Sequence, residues 1–508
     1  MGLEVGQNLK VKKHRIIRWA VQLFFLALFI FFFIQTSYIS LINSPQFFFS
    51  FDPLILVITS IAFRAVIAAS LLSIVILVGT LVFGRFYCGF ACPLGTLIDL
   101  ADRLTGEQPA AITSRQFDAV KYLVLVFLVV TAVLGSSFLH FFDPLVITEQ
   151  ALTLIAYPIT TFFTSVVSSV QPAVFREGVI TLLNLLVILG AGFFVKRAWC
   201  RFVCPLGGLL GLTARVSLFK VKLMDKCTKC GACESVCPVN AIDAQNLKID
   251  SGECIACLRC VYTCQEKSAQ YGLRLQPVGF SVTRRQVLAA GVAGIVLVPL
   301  SRTLLYGRLE ARLIRPPGAV PEPEFLNACV RCATCMKVCP TNGLQPCLFE
   351  AGLEGLWTPR LVPRIGGCEK NCSRCGQVCP TSAIRKLSLE EKSFARLGTA
   401  VIDRSRCIAW EQDKVCLICD EACQYNAITS RTETIQGVRL TRPYVDERIC
   451  MGCGICESRC PLDGRSAIEV YSMGEERKRT QFYVTPEKRR LRDSTLIKDD
   501  IPSGFILK

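Results

Sequence analysis

Ser281–Tyr306 reads SVTRRQVLAAGVAGIVLVPLSRTLLY, a pair of arginines (Arg284, Arg285) followed by an apolar run of helix length. Roughly 20 apolar residues suffice to cross a bilayer. Eight cysteines in two tight groups lie shortly before this stretch, and sixteen in four groups lie after it. A helix here puts two cysteine-rich halves on opposite faces of a membrane.

The composition agrees with a membrane chain. The 508 residues have a mean hydropathy of +0.44 and include 32 phenylalanines. The formal charge of +17 is spread along the chain rather than gathered in one basic arm. Cytoplasmic membrane loops accumulate Lys and Arg in this way, so the pattern argues against a nucleic-acid partner. Twenty-nine cysteines suit either a disulfide scaffold or a metal-binding redox protein. Spacing decides for metal, because all but Cys347 fall into motifs. The two histidines, His14 and His140, do not follow a C-x-x-C, which excludes covalent haem attachment and leaves no haem expected. An electron path made by this chain alone is therefore iron–sulfur or thiol based.

Basic residues Lys10, Lys12, Lys13, Arg15 and Arg18 cluster at the start of the first apolar run, about Ile16–Tyr38. That core is too long for a cleaved signal peptide and no small-residue cleavage site follows. Further runs cover about Ile61–Phe83, Tyr122–Phe142 and Val179–Val195. Glu149 and Pro158 make Leu145–Val170 read as an interfacial or re-entrant piece. Loops 38–60 and 143–175 hold no Lys or Arg, whereas 84–121 and 196–226 are rich in them (Arg85, Arg103, Arg115, Lys121; Lys196, Arg197, Arg201, Arg215). The positive-inside bias puts the N-terminus and both basic loops in the cytoplasm.

The membrane part repeats itself. FDPL occurs at Phe51–Leu54 and at Phe142–Leu145, and each copy leads through apolar sequence to a cysteine pair followed by Pro-Leu-Gly. The pairs are Cys88/Cys92 and Cys200/Cys204. Cysteines four apart share a helical face, and the proline after them interrupts the helix. Inert buried thiols would not explain two copies at equivalent positions. A redox disulfide, a copper site and a tetrahedral sulfur site for zinc or iron–sulfur all stay open; the last, with the four thiols converging, would be a seventh iron–sulfur centre at the membrane edge. Arg64, read as lying near the Asp52 end of its helix, is either a quinone or proton-path residue or an arginine snorkelling to pair with Asp52.

Cys227, Cys230, Cys233 and Cys237-Pro form C-x2-C-x2-C-x3-C-P, the bacterial run for a [4Fe–4S] cluster. Cys254, Cys257, Cys260 and Cys264 follow as its partner, with Gln265 where proline is usual. The fourth thiolate of such a motif reaches the neighbouring cubane. One cluster would take Cys227, Cys230, Cys233 and Cys264, the other Cys254, Cys257, Cys260 and Cys237. Zinc sites have different spacing. Behind a proline-rich linker, Arg315–Pro323, come Cys329, Cys332, Cys335, Cys339; then Cys368, Cys372, Cys375, Cys379; then Cys407, Cys416, Cys419, Cys423; then Cys450, Cys453, Cys456, Cys460. The second has a longer first gap and the third carries the insertion IAWEQDKV. Six clusters in all is the count these motifs predict. Whether the last four pair 1–2/3–4 or 1–4/2–3 is not readable from spacing. Cys347 reads as a buried free thiol.

On these motifs residues 1–270 resemble the NapH family of membrane ferredoxin-type proteins. Residues 281–475 resemble the NapG/MauM family of periplasmic ferredoxin-type proteins, whose twin-arginine signal is matched by Thr283–Leu288. Such signals normally start a chain; here the motif is internal and its apolar segment is expected to stay as an anchor. The resemblance implies a fold of an α-helical membrane module, four helices plus one further anchor helix, with α+β bacterial ferredoxin-like [4Fe–4S] domains. It divides the chain into a four-helix module (1–220), a cytoplasmic two-cluster domain (221–275), the twin-arginine anchor (281–306), a linker (307–324), a periplasmic four-cluster domain (325–475) and a polar tail (476–508). The implied function is electron transfer of quinol dehydrogenase type in the cell inner membrane. Electrons pass between the quinone pool or cytoplasmic donors and a periplasmic reductase or cytochrome, with quinone as substrate or bound carrier. The competing reading is a metal-reducing or assembly factor for a respiratory oxidase; four clusters at the C-terminal end favour conduction.

Overall fold

A computed structural model describes residues 2–36, 46–66, 68–104, 115–167, 172–175, 178–224, 226–273, 283–305, 311–435 and 438–485. The chain forms two units. The first is Met1–Pro172, Arg176–Thr303 and Val330–Cys332; the second is Ala173–Phe175, Leu304–Cys329 and Ala333–Lys508. Ser281, Tyr306, Arg308 and the basic stretch with Lys488, Arg489 and Arg490 lie outside the described residues.

Three helices in the described residues are long and apolar enough to cross a membrane: Lys10–Gln35, Pro144–Val166 and Arg284–Ser301. The other apolar helices are shorter, Pro53–Phe63, Ser70–Phe83, Gly178–Phe193 and Pro205–Ala214. Two departures from the sequence reading have local causes. The run Ile61–Phe83 is not one helix. Pro53–Phe63 stops at Arg64, which is exposed and left-handed (φ 53°), and a new helix starts at Ser73. A guanidinium in mid-run is more cheaply turned to the surface at a helix end than carried through hydrocarbon. Conversely, Pro144–Val167, expected to be interfacial or re-entrant, is continuously helical. A wide π-turn at Leu152–Ala156 precedes Pro158 and takes up the hydrogen bond that proline cannot make.

The FDPL repeat is a helix start used twice. Asp52 Oδ1 accepts from the N–H groups of Leu54 (2.8 Å) and Ile55 (3.3 Å), and Asp143 Oδ1 from those of Leu145 (2.9 Å) and Val146 (3.0 Å). The carboxylate caps, and the proline after it fills the first helical position where no N–H is needed. Leu54 and Leu145 then enter the core with no exposed surface.

Charge is buried deliberately in this unit. Asp99, on the helix Pro93–Leu104, accepts from Arg18 at 2.6 Å, from Gln22 at 2.9 Å and from Arg197 at 2.7 and 2.8 Å. Arg18 and Arg197 are 1% and 0% exposed, so this carboxylate compensates two desolvated guanidinium groups. The small ferredoxin-like part is held to the helices the same way. Its Glu253 pairs with Lys121, accepts from Tyr122 Oη at 3.0 Å, and has Arg85 donating to the Gly252 carbonyl at 2.8 Å beside it. The strand Phe219–Leu223 pairs antiparallel with Ala269–Leu273 and closes the part around its eight cysteines.

In the second unit the described strands form three antiparallel pairs, Leu344–Pro346 with Pro359–Leu361, Thr399–Ile402 with Ile468–Tyr471, and Ile428–Ile435 with Val438–Val445. The proline-rich stretch expected to be a linker is instead part of the core. Leu313 to Val320 is buried throughout, and Ile314 and Ala319 bridge to Leu361 and Ile384. Arg315 explains this, because it is 2% exposed and needs its partners, Glu322 at 2.5 Å and Thr358 at 2.9 Å. The start of the expected polar tail also packs in, with Arg477 bridging Glu322 and Glu475, and Tyr483 buried against Leu387, Phe394 and Ala395.

Removing the charge of Asp99 leaves two buried guanidinium groups with a neutral partner. Breaking a buried ion pair of this kind costs about 3–5 kcal/mol. Asp99→Asn is expected to lower the thermal unfolding temperature of the detergent-solubilised chain clearly, while Glu266→Gln at an exposed site leaves it unchanged.

Candidate functional site

The backbone around the cysteines is strained in a repeated pattern. In four motifs the residues on both sides of the second cysteine have positive φ: Lys229 and Gly231, Ala256 and Leu258, Arg331 and Ala333, Gly452 and Gly454. Successive N–H groups in such turns form a concavity that binds anionic groups, iron–sulfur clusters among them. Non-glycine residues held there cost energy, roughly 1–2 kcal/mol each, and such strain collects at functional sites. The motif with the longer first gap and the one with the insertion lack the pattern; Ser373 and Leu417 have φ of −131° and −112°. Those two departures in spacing thus change the loop at the second cysteine.

The third cysteine of every motif opens or lies in a one-turn helix: Ala232–Ser235, Arg259–Thr263, Thr334–Lys337, Arg374–Gln377, Ile418–Glu421 and Ile455–Arg459. Three residues after the fourth cysteine a second left-handed turn recurs, at Asn240, Lys267, Asn342, Ser382 and Asn426. It aims backbone N–H groups at sulfur. Ala241 donates to Cys237 at 3.3 Å, Ile384 to Cys379 at 3.4 Å and Ala427 to Cys423 at 3.2 Å. These donors favour thiolate and suit an anionic cluster.

Thiol electrostatics show which cysteines are neighbours. Burial raises the Cys233 thiol first, and Cys227, Cys264 and Cys230 raise it further. Cys254 is pushed up to about 12 by burial, then by Cys257 and Cys237. The fourth cysteine of each motif therefore stands with the other group. The same crossing answers the pairing that spacing left open in the second unit. Burial, then Cys368, Cys372 and Cys339, hold Cys375 well above its usual value. Cys419 is pushed up to about 12 by burial, Cys407 and Cys416, and a cavity lined by Cys407, Cys416, Cys419 and Cys460 lies among Ile402, Pro443 and Leu462. Cys456 is raised by burial, then by Cys453, Cys450 and Cys423. The motifs pair first with second and third with fourth. Four mutually repelling thiols in one buried place are what a bound cationic centre relieves. Among the described residues no three Cys, His, Asp or Glu side chains close on one point as around a single ion; a cubane, whose thiolates sit at separate corners, does not require that.

The two halves of the second unit meet at backbone contact. The Cys368 N–H donates to the Cys453 carbonyl at 2.7 Å, and a Cβ on Gly367 would stand 2.6 Å from Ile455 N and 2.8 Å from Gly454 C. Only glycine permits this approach of the second and fourth motifs.

At the repeat interface of the first unit, Cys88, Cys92, Cys200 and Cys204 lie within electrostatic reach of one another. Cys92 accepts from Gly95 N–H at 3.4 Å and Cys204 from Gly207 N–H at 3.3 Å, each at the start of a helix. Arg85 and Arg197, three residues before Cys88 and Cys200, are 1% and 0% exposed and cross over. Arg197 donates to the carbonyls of Cys88 (2.9 Å) and Gly95 (3.3 Å), while a Cβ on Gly207 would meet Arg85 Nη2 at 2.7 Å. Cys88 also packs against the buried cluster of Val239, Ala241, Ile255 and Cys257 in the ferredoxin-like part, which Cys237 and Cys254 border as well. Sequence reasoning had Arg85, Arg197 and Arg201 among the basic residues of cytoplasmic loops; the identical offset of Arg85 and Arg197 from the two cysteine pairs was the signal for more. Arg64 and Asp52 are not brought together, since they cap opposite ends of the helix Pro53–Phe63. Cys347 is fully buried, with Arg315 Nη1 at 3.5 Å from its sulfur.

A family model described as a 4Fe-4S binding domain matches residues 65–107 and 178–223, the two stretches that carry these cysteine pairs, and a second 4Fe-4S binding domain model matches 221–243. The methylamine utilization ferredoxin-type protein MauM of Methylorubrum extorquens is 38% identical over 208 residues, 37% of this chain and 89% of that protein. The ferredoxin-type protein NapG of Escherichia coli is 35% identical over 194 residues, 37% of this chain and 82% of its own length. Protein NirI of Paracoccus denitrificans is 33% identical over 193 residues, 36% of this chain and 25% of that longer protein. No solved structure matches the chain. With MauM and NapG covered over most of their lengths, and with 4Fe-4S domains matched ahead of the anchor as a NapH/NapG-like fusion requires, the chain belongs to the family of MauM and NapG ferredoxin-type proteins.

Proposed function

We propose that this iron–sulfur electron-transfer protein is a membrane-bound conductor between the quinone pool and a redox partner on the periplasmic face. The observation that carries the reading is the packing of Cys88 against the buried cluster of Val239, Ala241, Ile255 and Cys257, which Cys237 and Cys254 also border. It sets one of the four repeat-interface thiols beside the cysteines of the inner ferredoxin-like part. Bound to such thiolates, [4Fe–4S] clusters each exchange one electron at a potential tuned by hydrogen bonds to sulfur. The chain's own residues do the rest. The crossed ligand sets put Cys237 and Cys264 in each other's centres. Glu253, Lys121 and Arg85 fix the inner part against the helices, and Gly367 lets the two halves of the outer domain touch.

Six ligand sets follow from the crossing. They are Cys227, Cys230, Cys233 with Cys264; Cys254, Cys257, Cys260 with Cys237; Cys329, Cys332, Cys335 with Cys379; Cys368, Cys372, Cys375 with Cys339; Cys407, Cys416, Cys419 with Cys460; and Cys450, Cys453, Cys456 with Cys423. We add a seventh centre on Cys88, Cys92, Cys200 and Cys204. The match of a 4Fe-4S binding domain to both stretches supports it. So do the helix-start N–H groups on Cys92 and Cys204 and the two buried arginines, which lower the cost of thiolate charge at a membrane edge. The positive-inside bias of the loops supports a cytoplasmic inner part, and the internal twin-arginine motif supports export of the folded outer domain. Quinone is the donor that fits a redox centre beside apolar helices.

Purified parent chain is expected to hold more than roughly 24 irons, the count for six [4Fe–4S] clusters. Cys88→Ala and Cys200→Ala should each lose iron and one redox signal; unchanged iron and spectra in both would leave a redox disulfide as the better account. Gly367→Val is expected to keep its iron yet slow electron passage through the outer domain several-fold, read by freeze-quench paramagnetic resonance of stepwise reduction. A label at the exposed Phe482 should react with an impermeant reagent in intact cells, and lose that reactivity when Arg284 and Arg285 are both changed to Lys. Protection of Phe482 in the parent chain would exclude the two-sided arrangement.

A further inference from the structure

The FDPL turns bring a second pair of groups to the repeat interface. Asp52 and Asp143 are 1% and 0% exposed, and each uses Oδ1 to cap its helix. The other oxygen of each, Oδ2, is sealed from solvent and has no hydrogen-bond donor. The two carboxyl groups nevertheless lie within interaction reach of one another. An ionised carboxylate carries acceptors only, so a hydrogen bond between them requires a proton on one of the pair. Two ionised carboxylates buried side by side would repel strongly. A shared proton is what two sealed carboxyl groups this close, each with an unpartnered oxygen, call for.

Tyr87, 6% exposed, lies within electrostatic reach of both aspartates and of Cys92 and Cys88. Arg64 is at the far end of its helix. Tyr87 marks how near the pair stands to the four-thiol site; it need not ionise.

We propose that Asp52 and Asp143 form a proton-binding dyad that shares one proton while the four-thiol site is oxidised and binds a second when that site gains an electron. The electron comes from a hydroquinone, which gives up one proton for each electron it loses. The arriving proton converts the remaining carboxylate to a carboxylic acid, so the buried region takes up no net charge. A lone electron added at low dielectric would meet the unscreened charge of that carboxylate. The shared proton rests on the geometry of the dyad alone. Uptake of the second rests on the redox reading of the four thiols given above.

Infrared difference spectroscopy on the full chain in lipid nanodiscs tests both parts. The oxidised chain should show a protonated-carboxyl band that shifts in heavy water and with 13C-labelled aspartate, and that disappears in Asp52→Asn and in Asp143→Asn. Asparagine keeps the helix cap, and the visible iron–sulfur absorption of each variant reports its folding. The labelled parent needs no variant, so a folding defect does not block the test. No label-sensitive band in the oxidised parent overturns the dyad. A band that stays the same on electrochemical reduction overturns the redox link and leaves the shared proton standing. Failure of the four-thiol reading shows separately, as unchanged iron in Cys88→Ala.

Discussion

Two buried arginines hold the first unit together. Arg85 and Arg197 stand at the same offset from their cysteine pairs, and each reaches into the other repeat. A guanidinium at 0–1% exposure is tolerable only if its hydrogen bonds are met. Arg197 meets them with Asp99 and the carbonyls of Cys88 and Gly95, and Arg85 meets part of them through Nη1, which donates to the carbonyls of Gly252 and Glu253. Those partners lie on different segments, so satisfying two side chains draws the helix Pro93–Leu104, the first helix through Arg18, and the ferredoxin-like part into one arrangement. The four thiols then converge beside positive charge.

The ferredoxin-like parts solve a related problem by backbone alone. Left-handed residues around the second cysteine and after the fourth turn N–H groups inward, at a conformational cost borne by Lys229, Ala256, Leu258, Arg331 and Ala333. Donors to sulfur stabilise negative charge without adding a mobile cation, and so set potential as well as fit. Close approach between cluster sites is secured differently, by glycine. Gly367 against Ile455 and Gly454, and Gly89 against Ile255 O, where a Cβ would stand 2.4 Å away, are places where any side chain would push redox sites apart.

The two Asp-Pro turns show how one short motif serves two ends. Locally, aspartate caps and proline starts a helix, which is reason enough for FDPL to occur. Across the repeat, the two capping carboxyl groups come within reach of one another, each with its second oxygen buried and unpartnered. A local capping rule thereby yields a buried acid pair that no segment contains by itself.

The cysteine motifs, the apolar runs and the FDPL repeat were legible in the sequence, because ligand spacing, hydrophobicity and capping act over a few residues. The likeness to MauM and NapG was legible for the same reason. The rest depended on contacts between distant segments. Motif pairing became visible only when Cys339 met Cys375 and Cys423 met Cys456. Arg315–Pro323 has the composition of a linker, yet Arg315 buries it by pairing with Glu322 and Thr358. Pro158 and Glu149 argue locally against a helix that a π-turn and a buried environment make possible. Arg64 and Asp52, close in sequence, are kept apart by the helix between them. Asp52 and Asp143, 91 residues apart, are brought together. Sequence determined which chemistry the chain carries; only tertiary structure decided which groups share a charge, because burial and electrostatics depend on distance in space.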